Sequence, residues 1–101
     1  MSNLVTVRRV TIVTDAMLEK SLLEQIVRLG AKGYSCTDCR GRGEHEVFAD
    51  PFTGATRVRI DTIVQPAVAA AIMDYLHTPA LMNQPLTACV ETVEVSPLDK
   101  F

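Results

Sequence analysis

The sequence predicts an α+β fold of order βαββαβ, with two helices on one face of a four-stranded antiparallel sheet. Three observations predict it. Val5 to Thr14 and Arg57 to Val64 are rich in β-branched residues. Each is followed by leucine, isoleucine or valine at helical spacing. Each helix pattern is followed in turn by another extended segment, so the two halves share one plan. The chain has 101 residues, 48% of them hydrophobic, enough for one core, and residues 1–101 are expected to form a single domain.

Val5 to Thr14 reads as the first strand, and Asp15 as the N-cap of the first helix. Leu18, Leu22, Ile26 and Leu29 recur at helical spacing, with Leu23 and Val27 widening the stripe. Lys20 and Glu24 fall one turn apart on the outer face, and Gly30 ends the helix. Tyr34 to Arg40 reads as the second strand. From Gly41 to Gly54 the apolar signal disappears, and Asp50-Pro51-Phe52-Thr53-Gly54 has the chemistry of a turn. An irregular stretch of this length inside a compact domain usually carries function. Arg57 to Val64 then alternates, with Val58, Ile60, Thr62 and Val64 on one face and Arg57, Arg59 and Asp61 on the other. Pro66 suits the first helical position, and Val68, Ile72 and Leu76, with Ala69 and Met73, form a second stripe. Pro79 and Pro85 bracket a connector, and Thr87 to Val95 is the last strand. This order is that of a ferredoxin-like sandwich with a long loop between strands 2 and 3. Val10, Ile12, Cys39, Ile63 and Val93 make both sheet faces partly apolar, so the face without helices is expected to pack on other subunits of a cyclic homo-oligomer.

Composition excludes several classes. A formal net charge of -2 gives no electrostatic reason to bind nucleic acid or an anionic membrane. Three Phe, two Tyr and no Trp leave no stacking platform for single strands. Met1 to Arg9 lacks an apolar signal core and no stretch has the length of a membrane span, which predicts a cytoplasmic protein without membrane insertion. Three cysteines are then read as thiols rather than a disulfide framework.

Four constellations carry chemistry or invite it. Gly41-Arg42-Gly43 can bring main-chain N–H groups close to a phosphate or an adenine edge; it also reads as an ordinary strand exit. No Gly-Lys-Ser/Thr follows, so it is not a hydrolase-type phosphate loop. Arg40, Arg42, Arg57 and Arg59 converge near the loop base if the strand ends pair, and guanidinium forks match phosphate or bicarbonate. The alternative is solvated arginines paired with Asp61, Glu44 and Glu46. Arg8 and Arg9 read as a solvated strand end. Cys36 and Cys39 are three apart on a strand and point to opposite faces, so they form neither a redox pair nor a metal site, and with Cys89 they read as small buried thiols. His45 and His77 have no ligand partners at metal spacing, and no catalytic constellation can be assembled, so no enzyme and no metal site is expected. An acyl-phosphate hydrolase on this topology needs an anion-binding loop after strand 1, where Val13-Thr14-Asp15-Ala16 places a carboxylate. Met17, Met73 and Met82 are read as core.

Gly33-Tyr34-Ser35-Cys36-Thr37-Asp38-Cys39-Arg40-Gly41-Arg42-Gly43 resembles the PII signal-transduction family. That family has a glycine, an alternating Thr-containing strand, a basic residue, and Gly-x-Gly opening a long flexible loop. The likeness covers nearly the whole chain, and within the superfamily it is greatest to the carboxysome-associated PII-like proteins and the SbtB group. The resemblance implies a homotrimer with a nucleotide in each cleft between subunits and a mobile loop, here about residues 42–55, that reports the bound ligand. It implies ADP or AMP with bicarbonate as ligands, no resident cofactor, and regulation of inorganic-carbon uptake or fixation through a bicarbonate transporter or a carboxysome component. The nucleotide is expected against Val13, Ser35, Gly41, Arg42, Gly43, Ile63 and Val64, with adenine between apolar residues such as Val13 and Ile63. Arg40, Arg57 and Arg59 are expected on the anion. The chain departs from the PII pattern in several places. Thr78 to Pro85 lacks the Gly-rich turn with its Lys, Glu91 and Glu94 stand on a strand that carries arginines in the family, and no Tyr lies between Gly41 and Gly54. These departures favour a ligand less charged than ATP. The alternative is a divalent-metal-binding trimer like the CutA group.

Overall fold

A computed structural model describes residues 3–40 and 57–96. The loop expected at about 42–55, with Gly41, Arg42, Gly43 and His45, lies outside the described residues.

The first strand, β1 (Val5–Asp15), has neither Gly nor Pro to interrupt its ladder. It ends where the Asp15 carboxylate accepts a hydrogen bond from the Met17 N–H at 2.8 Å, capping a single 3-10 turn, Ala16–Leu18. Helix α1 (Glu19–Arg28) comes next, with Glu19 in its first turn and Arg28 in its last, matching the helix dipole. Its end is a two-bond cap: Ala31 N–H donates to Ile26 O and Gly30 N–H to Val27 O, which satisfies two terminal carbonyls. Gly30 carries the positive φ of 120° that this geometry requires. Then come β2 (Ser35–Cys39), β3 (Arg57–Val64), α2 (Pro66–Leu76), a four-residue helix α3 (Pro79–Met82) and β4 (Leu86–Val95). Pro66 and Pro79 each open a helix, where the missing N–H costs no hydrogen bond.

The strands form one antiparallel sheet in the order β2-β3-β1-β4. Together with the helices this is the ferredoxin-like βαββαβ sandwich that periodicity predicts. Its core lies between the helices and one face of the sheet. Val10 and Ile12 of β1 and Val58, Ile60 and Val64 of β3 meet Leu22 and Ile26 of α1 and Ala69, Ile72 and Leu76 of α2. Each large aliphatic side chain buried there contributes about 1.5–3 kcal/mol. Two buried hydroxyls, on Thr14 and Thr62, donate to Pro85 O at 3.0 Å and Gly33 O at 2.6 Å, so neither is left unpaired.

Four details differ from the sequence expectations. Val27 is 51% exposed, and the stripe widens only at Leu23, which packs against the core. Met17 and Met82 are 89% and 70% exposed, not core; only Met73 packs against it. Met17 sits on the 3-10 turn and Met82 at the end of α3, where short elements offer no second layer to cover them. Pro79 starts α3 rather than a plain connector. Cys89 is exposed, since it lies on the sheet face opposite the helices.

Candidate functional site

Directly paired residues on neighbouring strands share a sheet face. On the face without helices the register sets Val13 beside Arg59 and Thr87, Thr11 beside Asp61 and Cys89, and Arg9 beside Ile63 and Glu91. β2 adds Ser35 opposite Asp61, Thr37 opposite Arg59, and Cys39 opposite Arg57. Five of the expected site residues therefore lie on one face: Val13, Ser35, Arg57, Arg59 and Ile63. Arg57 and Arg59 are two positions apart, about 7 Å along the strand. Arg40 directly succeeds β2, is exposed, and stands at the sheet end where Cys39 meets Arg57. Val64 does not share this face. It is 2% exposed and belongs to the helix-side core, so only its main chain is available to a ligand.

The charged groups of this face are ordered. Arg59 Nε donates to Asp61 Oδ2 at 2.9 Å, and its Nη2 lies 3.4 Å from Oδ1. Thr11 Oγ1 donates to the same Oδ1 at 2.6 Å. Burial pushes the Asp61 carboxyl upward, but the hydrogen bonds from Arg59 and Thr11 and the charges of Arg59 and Arg9 outweigh it, and the group is held below its ordinary range. One strand further, Arg9 Nη2 donates to both Glu91 oxygens at 2.9 and 3.0 Å, and Nε adds a third bond at 3.2 Å. The sequence reads Arg9 as a solvated strand end; the fold clamps it instead, because β1–β4 pairing brings a residue 82 positions away opposite it.

An open cleft of about 600 Å³ runs along this face. Ser35, Arg59 and Ile63 line it, joined by Arg9, Lys32, Tyr34, Asp61 and the backbone region of Gly33 and Thr62. Val13, Arg40, Arg57 and Val64 are not among its lining residues. Arg9, Lys32, Tyr34 and Asp61 are the members that sequence reasoning missed. The strand alternation already placed Asp61 with Arg59, and this signal pointed to it. For Lys32 and Tyr34 there was no local signal, because they precede β2 and reach the cleft only through its pairing with β3. A second groove of about 590 Å³ lies on α1, where Leu23, Val27 and Tyr34 are flanked by Glu19, Lys20, Glu24 and Arg28.

Cys36 packs toward the core while Cys39, three positions on, falls on the other face. Burial first, then the neighbouring Glu19 carboxylate and its hydrogen bond, and the charge of Asp61, push the Cys36 thiol up, so it stays protonated at neutral pH. His77 caps the end of α2, its Nδ1 2.7 Å from Met73 O. Among the described residues no three His, Cys, Asp or Glu side chains gather where they could hold a metal ion, and no helix is long and apolar enough to cross a membrane.

The helix-backed, four-stranded α+β sandwich is the fold of PII-like proteins. The chain belongs to the P-II family: the model for Nitrogen regulatory protein P-II matches residues 7–98. A solved structure from Thermus thermophilus, provisionally described as a PII-like signaling protein, is 37% identical, with 93% of this chain and 92% of that one covered and a TM-score of 0.77. CPII from Thiomonas intermedia K12, solved bound to ADP and bicarbonate, is 16% identical over 93% of this chain and 92% of its own, with a TM-score of 0.81. The same protein bound to ADP, AMP and acetate gives 15% identity over 97% and 96%, with a TM-score of 0.80. No curated protein matches the chain significantly by sequence.

Proposed function

We propose that this chain is a non-enzymatic regulatory subunit that binds ADP or AMP, together with bicarbonate, at clefts between the subunits of a homotrimer. One observation carries the reading: Ser35, Arg59 and Ile63, expected from the sequence as ligand contacts, line one cleft on the sheet face that no described helix covers. The cleft joins an apolar wall and an aromatic ring to a cationic fork, the combination that a purine with an anionic tail requires. Val13, Arg40 and Arg57 lie beyond its edge, toward the sheet end where Arg40 precedes Gly41 in the chain. That continuity supports a ligand extending toward the Gly-x-Gly segment, with Val64 contributing its main chain. The ligand class is supported by CPII, whose structures hold ADP with bicarbonate and ADP and AMP with acetate. Both small anions are trigonal oxyanions suited to an arginine fork.

In this reading the single domain spans residues 1–101, acts in the cytoplasm, and carries its output on the segment at about 42–55. Ligand-dependent order of that segment would regulate inorganic-carbon uptake or fixation, through a bicarbonate transporter or a carboxysome component. Such coupling requires different ligand affinities for the two loop states. Titration calorimetry with ADP, AMP and ATP, each with and without bicarbonate, tests the proposal. We expect ADP or AMP to bind and bicarbonate to alter the affinity; no heat with any adenine nucleotide sinks it.

A further inference from the structure

The cleft carries its own counter-ion. Asp61 holds the Nε edge of Arg59, the edge an incoming oxyanion would use for a two-point contact, and a second bond from Thr11 fixes the carboxylate in place. Glu91 holds both Arg9 Nε and Nη2 in the same way. Of the cations among the described residues that line the cleft, Arg9, Lys32 and Arg59, the two arginines are therefore neutralised before any ligand arrives.

We propose that Asp61 is an internal competitor for the ligand's anionic group: it occupies Arg59 in the empty cleft and must yield that guanidinium when a phosphate or carboxylate binds. The inference rests on the nucleotide reading above and goes beyond it by assigning a role to a residue that contributes repulsion, not attraction. The chemistry is direct. An ionised carboxylate only accepts hydrogen bonds, so Asp61 cannot donate to an oxyanion beside it, and its charge opposes the ligand's across a few ångströms. Arg59 has five donors in a fixed fork, and rotation away from Asp61 presents the same edge outward. Thr11 then remains on Asp61 as its neutral partner, so the released carboxylate keeps one hydrogen bond. This arrangement makes binding of an anion depend on how well it replaces Asp61 at Arg59. Anion-bearing ligands should feel Asp61, and an uncharged nucleoside much less.

The test is calorimetry of the wild type and Asp61→Asn, at pH 7 and low salt, with ADP and with adenosine. The substitution keeps the shape and an acceptor for Thr11 but removes the charge. We expect about fivefold tighter ADP binding and a much smaller change for adenosine, with the ADP gain shrinking as salt screens it. ADP binding that is equal or weaker in the variant, beside a wild type that binds ADP, overturns the competitor role and leaves the nucleotide reading intact. No nucleotide binding to either protein overturns both. A second measurement needs no variant: the Arg59 Nε–H resonance of the wild type should shift on saturation with ADP as it leaves Asp61. A resonance that stays in place at saturation also overturns the proposal.

Discussion

Asp61 is the residue on which most of the face's electrostatics turn. Burial raises the proton affinity of its carboxyl, and the bonds from Arg59 and Thr11 more than reverse this, so it ionises at lower pH in the fold than in the unfolded chain. A group depressed in this way stabilises the fold at pH values above its unfolded pKa of about 4, and that contribution disappears as pH falls through the lower folded value. Acid unfolding followed by circular dichroism should therefore show a steeper loss of stability below about pH 4 in the wild type than in Asp61→Asn. Parallel acid curves for the two proteins would remove Asp61 from the account. The Arg59–Asp61 pair is partly exposed, so its direct contribution at neutral pH is small and screened by salt. Its weight lies in where it holds the guanidinium.

At the scale of the element, the cap of α1 ties chain geometry to packing. Gly30 has φ 120°, and a Cβ built there would stand 2.9 Å from Val68 Cγ2. Gly30→Ala therefore meets backbone strain and a clash with the start of α2, and should cost about 1–3 kcal/mol in urea denaturation. The strain and the clash are separable. Adding Val68→Ala should recover only the steric share, and full recovery would show that the backbone conformation is not strained. The sheet's central strands give a sharper effect. Ile12 and Ile60 pair across β1 and β3 and are fully buried, so truncating either to Ala should cost about 2–5 kcal/mol by the same assay. A loss under about 1 kcal/mol would mean that the core collapses around the cavity.

For the whole molecule, assembly turns on the sheet face that no described helix covers. Cys89, the exposed thiol opposite Thr11, is a natural reporter of whether that face is covered. If trimers close over it, Cys89 should react slowly with an alkylating reagent at concentrations where the assembly persists and rapidly on dilution. Light scattering should give three times the chain mass in the protected regime. Fast labelling at every concentration would place the face in solvent. Cys36 is the internal control, since its thiol is held protonated and packs against the core.

Local pattern alone determined the order of the four strands and the two longer helices, the helix end at Gly30, and the division of β3 into a core face and a charged face; the Asp15 cap falls on a 3-10 turn ahead of α1 rather than on the helix itself. Alternation and helical spacing are properties of neighbouring residues, so one chain read in order contains them. The same alternation put Arg57, Arg59 and Asp61 together. Only the tertiary structure decided that Arg9 meets Glu91, that Thr11 reaches Asp61, and that Lys32 and Tyr34 border the cleft. These contacts depend on strand register between segments far apart in sequence, and no local period encodes it. Burial showed the same divide. Met17 and Met82 are hydrophobic yet exposed, because coverage depends on which element packs above a residue.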